Sequence, residues 1–200
     1  MLLNVKTLNA YNVDASDGPA GTLVDSRFEE ADWELMDLVV NTRNVIGGRK
    51  VLVPVGAVRG IDYDKQKLRV GLLQEQVDTA PERPDDTALT SGPKSTHAAF
   101  GCHIRSSDEQ TFGHLEDLLV DPDTWAIRYL LIDTRNWWPG PPVLVAPDWV
   151  NHFDWTARKL TMDVPAERIK QCPPYDPSVP VSRDYEVVLY RYYERTEYWR

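Results

Sequence analysis

Gly113-His-Leu-Glu-Asp117-Leu-Leu-Val120-Asp-Pro-Asp-Thr-Trp125, continued by Ala126-Ile-Arg-Tyr-Leu-Leu-Ile132-Asp133-Thr134, reads as strand, turn and strand. Pro122 supplies the fixed φ that a type I turn wants, and Asp121 before it can bond the backbone. Residues 113–120 and 125–132 are therefore expected to form a hairpin. Its second strand ends in the unbroken apolar run Leu130-Leu131-Ile132, as in strands covered on both sides. The same pattern stands 92 positions earlier, in Gly21, Leu23, Asp25, Trp33, Leu38-Val39-Val40 and Thr42-Arg43-Asn44. Between residues 21 and 81 this offset gives 18 identities in 61 positions, where chance at ordinary composition would give about 4. Two copies of one unit are joined head to tail, and the first 80-odd residues recur at that offset without a gap.

Outward from the hairpins, each copy continues with a short strand, Val51-Leu-Val53 or Val143-Leu-Val145. A turn or single helical turn follows at Pro54–Val58 and Pro147–Val150. A last hairpin spans Ile61–Val70 and Phe153–Met162. Many short strands with regular turns predict a mainly β protein, two tandem small β-barrels. The expected domains are residues 1–77 and 97–172, with 78–96 as a proline-, threonine- and aspartate-rich linker. Residues 173–200 form an aromatic tail. Within it Ser182 suits an N-cap for a helix over Arg183 to Arg195, with Tyr185, Leu189, Tyr192 and Tyr193 on one face. One or two helical turns are also expected at Pro165–Lys170.

Composition narrows the function classes. Net charge is −9, with 10 basic and 15 acidic side chains in residues 1–92 and 12 and 16 in 93–200. Neither copy has the basic balance that phosphate backbones require, so nucleic acid is not an expected partner. No apolar run approaches the ~18 residues of a membrane span, and Met1–Lys6 is too short and polar for a secretory signal. A cytoplasmic location is the default expectation.

The residues carry no constellation that names a reaction. Asp25 and Asp117 are each expected to satisfy backbone donors at a barrel corner. Asp121 and Asp123 belong to a turn, since Pro122 and the lack of a glycine-bearing loop exclude a calcium loop. His97, His103, His114 and His152 have no pairwise spacing that marks a metal or a triad, and Cys102 and Cys172 read as isolated thiols. No catalytic residue, cofactor or metal is therefore expected. The loop Asp133-Thr-Arg-Asn-Trp-Trp-Pro-Gly140 is the best candidate for function, because Trp137 and Trp138 stand where the first copy has Val45 and Ile46. Aromatic loop residues are frequent interface anchors. Arg135 beside them, and Tyr192, Tyr193 and Trp199 in the tail, complete the candidate partner-binding set.

The series Gly113, Leu115, Asp117, then Asp121 to Trp125, Ile127 to Ile132, Asp133-Thr134, Trp137-Trp138 and Val143–Val145 resembles the PRC-barrel family. That family includes the cytoplasmic domain of the photosynthetic reaction-centre H subunit and the C-terminal domain of the ribosome-maturation factor RimM. The first copy departs from the pattern at Asn41 and at Val45-Ile46. The tail looks like the extension of tandem, two-copy bacterial members. The resemblance implies a small barrel that docks on other macromolecules and brings no shared catalytic residues. Three functions stay open at this point. The first is a non-enzymatic protein-interaction or assembly module with an unidentified protein partner, or a homodimer. The second is an accessory of a reaction-centre or other electron-transfer complex, touching the membrane complex peripherally. The third is a small-ligand binder or hydrolase using Asp25, Asp117 and Asp133 between the barrels.

Overall fold

A computed structural model describes residues 1–42, 48–84, 92–136 and 140–199. The protein is mainly β, with two seven-stranded sheets and a C-terminal helix. It divides into two compact units, one of Leu3–Ala98 with Asp123–Ala126, the other of Met1–Leu2, Ala99–Pro122 and Ile127–Arg200. Among the described residues no helix is long and apolar enough to cross a membrane.

The first unit begins with β1 (Leu3–Asn4), a four-residue α1 (Val5–Leu8), β2 (Asn12–Ala15) and β3 (Gly18–Glu29). Then come β4 (Glu34–Asn41), β5 (Lys50–Pro54), a 3₁₀ turn at Val55–Ala57, β6 (Val58–Asp62) and β7 (Lys67–Val70). Helix α2 (Gln74–Asp78) and β8 (Lys94–Ser95) complete it. The sheet order is β5-β4-β3-β2-β7-β6, with β8 added on β3. The second copy repeats this plan after α3 (Thr96–Ala99). Its strands are β9 (His103–Arg105), β10 (Thr111–Val120), β11 (Ile127–Asp133) and β12 (Val143–Val145). A 3₁₀ turn at Pro147–Trp149 precedes β13 (Val150–Asp154), β14 (Lys159–Met162), α4 (Ala166–Lys170) and α5 (Arg183–Tyr193). The order β12-β11-β10-β9-β14-β13 matches the first sheet strand for strand.

Both predicted hairpins are present, as β3–β4 and β10–β11. Leu38, Val39 and Val40 are fully buried, as are Leu130 and Ile132, so these strands are covered on both faces. Glycine at Gly21 and Gly113 has one cause in both copies. A Cβ at Gly21 would run into the Asn41 carbonyl oxygen, and one at Gly113 would lie 2.7 Å from that of Asp133. Trp33 and Trp125 also share a left-handed backbone, with φ of 51° and 62°.

Several sequence expectations shift. The strand path is open, because among the described residues no pairing joins β5 to β6 or β12 to β13. The 3₁₀ corner between them bonds elsewhere, through Gly71 N to Ala57 O at 2.8 Å and Asp163 N to Trp149 O at 2.7 Å. The gapless repeat also fails upstream of Gly21. Asn12 pairs with Thr22 and Lys67, and His103 pairs with His114 and Lys159. Asn12 and His103 are therefore equivalents, at an offset of 91, and the second copy carries one extra residue in the turn before β10. The first copy has its own short helix, α2, where none was read.

The inter-repeat segment is not a free linker at its ends. Leu52 N donates to Pro81 O and Arg83 N to Lys50 O, both at 2.8 Å, which lays residues 81–83 along β5. Prolines at 81 and 84 are tolerated there because an edge leaves their missing N–H without consequence. Residues 85–91 lie outside the described residues.

Candidate functional site

Two features of the second copy's first hairpin build the site. His114 on β10 faces Asp133 on β11 as a cross-strand pair, and the register then shifts between Leu115 and Asp117. Glu116 is the extra residue of that bulge, a device that re-aims side chains. The first copy carries the same bulge between Leu23 and Asp25, with Thr22 facing Asn41. The framework is therefore shared while the side chains differ: Thr22, Val24 and Asn41 in one copy, His114, Glu116 and Asp133 in the other.

The aspartate after each bulge serves the backbone. Asp25 Oδ1 accepts from Ser26 N at 2.8 Å, and Asp117 Oδ1 accepts from Leu118 N at 2.7 Å. Each carboxylate thus caps an amide that the bulge takes out of the ladder. Asp25 is almost fully buried and accepts further bonds from Ser95 Oγ at 2.5 Å, Thr96 Oγ1 at 2.9 Å and His97 N at 3.2 Å. Arg83 Nη2 lies 3.1 Å from its other oxygen.

At the end of β11, Asp133 is buried and Arg135 grips it. Arg135 Nε donates to Oδ1 at 3.0 Å, Nη2 to Oδ2 at 2.6 Å, and the Arg135 amide to Oδ1 at 2.9 Å. These bonds, the side-chain ones first, hold the Asp133 carboxyl down at about 2. His114 Nε2 stands 3.6 Å from Glu116 Oε2 and 3.7 Å from Asp133 Oδ2. The three ligand atoms lie within 4.8 Å of one another. The sign of the pH effect follows from the depressed value. Asp133 contributes stability above the ordinary carboxylate range of about 4, lost as pH falls through about 2. Replacing Arg135 with alanine is expected to return the Asp133 titration toward about 4, read from its carboxyl carbon shift by NMR. An unmoved midpoint would mean the guanidinium does not set it.

The candidate partner-binding residues are distributed as follows. Trp137 and Trp138 lie outside the described residues. Arg135 is engaged with Asp133, although its side chain remains largely exposed. Tyr192 Oη donates to Arg168 O at 2.7 Å, and Arg168 Nη2 donates to Tyr192 O at 2.6 Å. Tyr193 is buried with its ring 4.5 Å from that of Trp149. Trp199 meets Tyr190 edge-on at 5.2 Å, under the Arg183 guanidinium at 4.2 Å. Tyr192, Tyr193 and Trp199 are therefore used within their own unit. Just beyond the tryptophans, Gly140, Pro141 and Val143 line a partly open cavity of about 350 Å³ with Lys170, Gln171, Cys172 and Pro174.

Reading the sequence missed the meeting of His114, Glu116 and Asp133. The signal was the alternate spacing of His114 and Glu116 on a strand whose first-copy counterpart has Thr22 and Val24. Compared with known proteins, the chain matches no protein-family model and no curated protein.

Proposed function

We propose that the chain is a non-enzymatic protein-interaction or assembly module built from two PRC-barrel-like repeats. One observation carries this reading. The acids repeated in both copies, Asp25 and Asp117, are bonded to backbone amides at matching bulges, so the shared buried acids serve the scaffold. The copies diverge again just past the shared Thr-Arg-Asn that follows β11, with Trp137-Trp138 in place of Val45-Ile46. A duplicated scaffold with one diverged aromatic loop suits recognition by one of its copies. The cavity lined by Gly140, Pro141 and Val143, which follow the two tryptophans in the chain, supports the same surface, since recesses are where a partner's anchor side chains seat. Because the tail aromatics are engaged within their own unit, the loop is assigned the larger share of partner contact.

The test is the double variant Trp137→Ser, Trp138→Ser. It is expected to lose association, measured by sedimentation and by capture of bound protein, while its melting temperature stays within a few degrees of the parent. A parent chain of strictly monomeric mass that captures no partner would overturn the reading.

A further inference from the structure

We propose that His114, Glu116 and Asp133 form a site for a divalent first-row transition cation of the zinc type, present only in the second copy. One imidazole and two carboxylates form a nitrogen–oxygen donor set suited to zinc, and three protein ligands leave a further position for water. The spans from His114 Nε2, 3.6 Å to Glu116 Oε2 and 3.7 Å to Asp133 Oδ2, are too long for hydrogen bonds. They approach the roughly 3.4 Å that separates two ligands around a tetrahedral zinc with bonds of about 2.0–2.1 Å. The two carboxylates lie within 4.8 Å of each other, so side-chain rotation of Glu116 can complete the triad.

The duplication supplies an independent control. The first copy builds the same pair of strands, the same bulge and the same cross-strand register with Thr22, Val24 and Asn41. The fold therefore does not require an imidazole and two acids at these places, yet all three ligand types occur together in the second copy. The backbone fixes the arrangement, since His114 and Asp133 are opposite each other and Glu116 is the bulge residue two places on. The buried Asp133 and the half-buried His114 and Glu116 leave the site partly dry and partly open to water.

Arg135 is the competitor. Its guanidinium holds both Asp133 oxygens, so a cation entering at Oδ2 must displace Nη2. The largely exposed Arg135 side chain can swing away. Guanidinium and metal thus exchange at one carboxylate, two residues before Trp137. Metal occupancy would release Arg135 next to the aromatic loop.

The test is a calorimetric titration of the full chain with Zn²⁺ alone, paired with Co²⁺ absorption, in a buffer that does not bind metal. The parent is expected to take up one equivalent. His114→Thr and Asp133→Asn install the first copy's own residues and should preserve the fold by circular dichroism. Each is expected to weaken binding at least about tenfold. Arg135→Ala is expected to tighten it up to about fivefold, the scale of a lost exposed ion pair. Equal affinity in parent, His114→Thr and Asp133→Asn would place the ion at other histidines and overturn the proposal. So would absence of saturable binding up to about 1 mM.

Discussion

Replacing Asp25 with alanine is expected to remove about 3–5 kcal/mol from the first unit, the usual result of deleting one partner of a buried ionic cluster. The reason is where its partners come from. Ser26 N belongs to the bulged strand itself, Arg83 to the segment laid along β5, and Ser95, Thr96 and His97 to β8 and the start of α3. One carboxylate therefore ties both ends of the inter-repeat segment to the sheet. Thr96 and Ser26 extend the network, since Asn9 Nδ2 donates to Thr96 Oγ1 at 3.2 Å and Ser26 Oγ donates to Asn9 Oδ1 at 2.7 Å. Without the carboxylate, an arginine and several buried donors lose their acceptor. The melting temperature of this unit should fall by more than about 12 °C, given 4–8 °C per kcal/mol for a domain of this size. Asp25→Asn keeps the shape but turns an amide NH₂ toward Arg83 or Ser95, so it too should destabilise, by a smaller amount. A loss below about 1 kcal/mol in the alanine variant would show that Asp25 is not structural and would reopen a chemical role for it.

What could be read from the sequence was whatever a backbone constraint repeats. Gly21 and Gly113 recur because a partner carbonyl leaves no room for a Cβ, and Asp25 and Asp117 recur because each bulge strands an amide. The register upstream of Gly21 was hard to read, because at an offset of 92 nothing there is identical, and the slip to 91 leaves only Ser16-Asp17 matching Ser107-Asp108. Helix α2 was hidden by the lack of a marked start. Its Leu73 amide is capped by Gln76 Oε1 at 2.8 Å, a contact without the proline that flags α4. The cation-type cluster was hidden because Asp133 is distant in sequence from His114 and reaches it only through the strand register. The tail helix was legible in its cap, with Ser182 Oγ accepting from Tyr185 N at 3.2 Å, and in Leu189 and Tyr193 of its buried face, but its end was set two residues late and Glu186 and Tyr190 were passed over. It ends at Tyr193, where Glu194 turns left-handed, and it buries Glu186, Leu189, Tyr190 and Tyr193. A periodicity count favours apolar residues and passes over a buried glutamate. Glu186 is drawn in by two phenols, Tyr129 Oη at 2.9 Å and Tyr198 Oη at 2.8 Å.

That same packing makes the tail the largest lever on the second unit. A chain ending at Val181 is expected to keep the first unit's cooperative transition and lose the second's. Trp149 is buried against Tyr190 at 5.4 Å and Tyr193 at 4.5 Å, and Leu189 is fully enclosed. Each large side chain removed from such a core costs about 2–5 kcal/mol, and three of them together match the whole stability of an ordinary domain, about 5–15 kcal/mol. Tyr193→Ala alone should cost about 3–5 kcal/mol. Glu186→Gln, which keeps the volume but weakens the acceptor for two phenols, should cost about 1–3 kcal/mol. The cluster also sets an alkaline limit. Burial first, and Glu186 next, push the Tyr129 phenol above its usual range, and burial does the same to Tyr190 and Tyr193. Phenols raised in the folded state stabilise it fully below the unfolded value of about 10 and progressively less as pH rises beyond it. Denaturation followed between pH 8 and 12 should therefore show the second unit weakening above about pH 10, and Tyr129→Phe should lessen that slope. If the shortened chain instead melts like the parent, the tail is a detachable arm. Tyr192, Tyr193 and Trp199 would then return to the partner-binding surface from which their present contacts remove them.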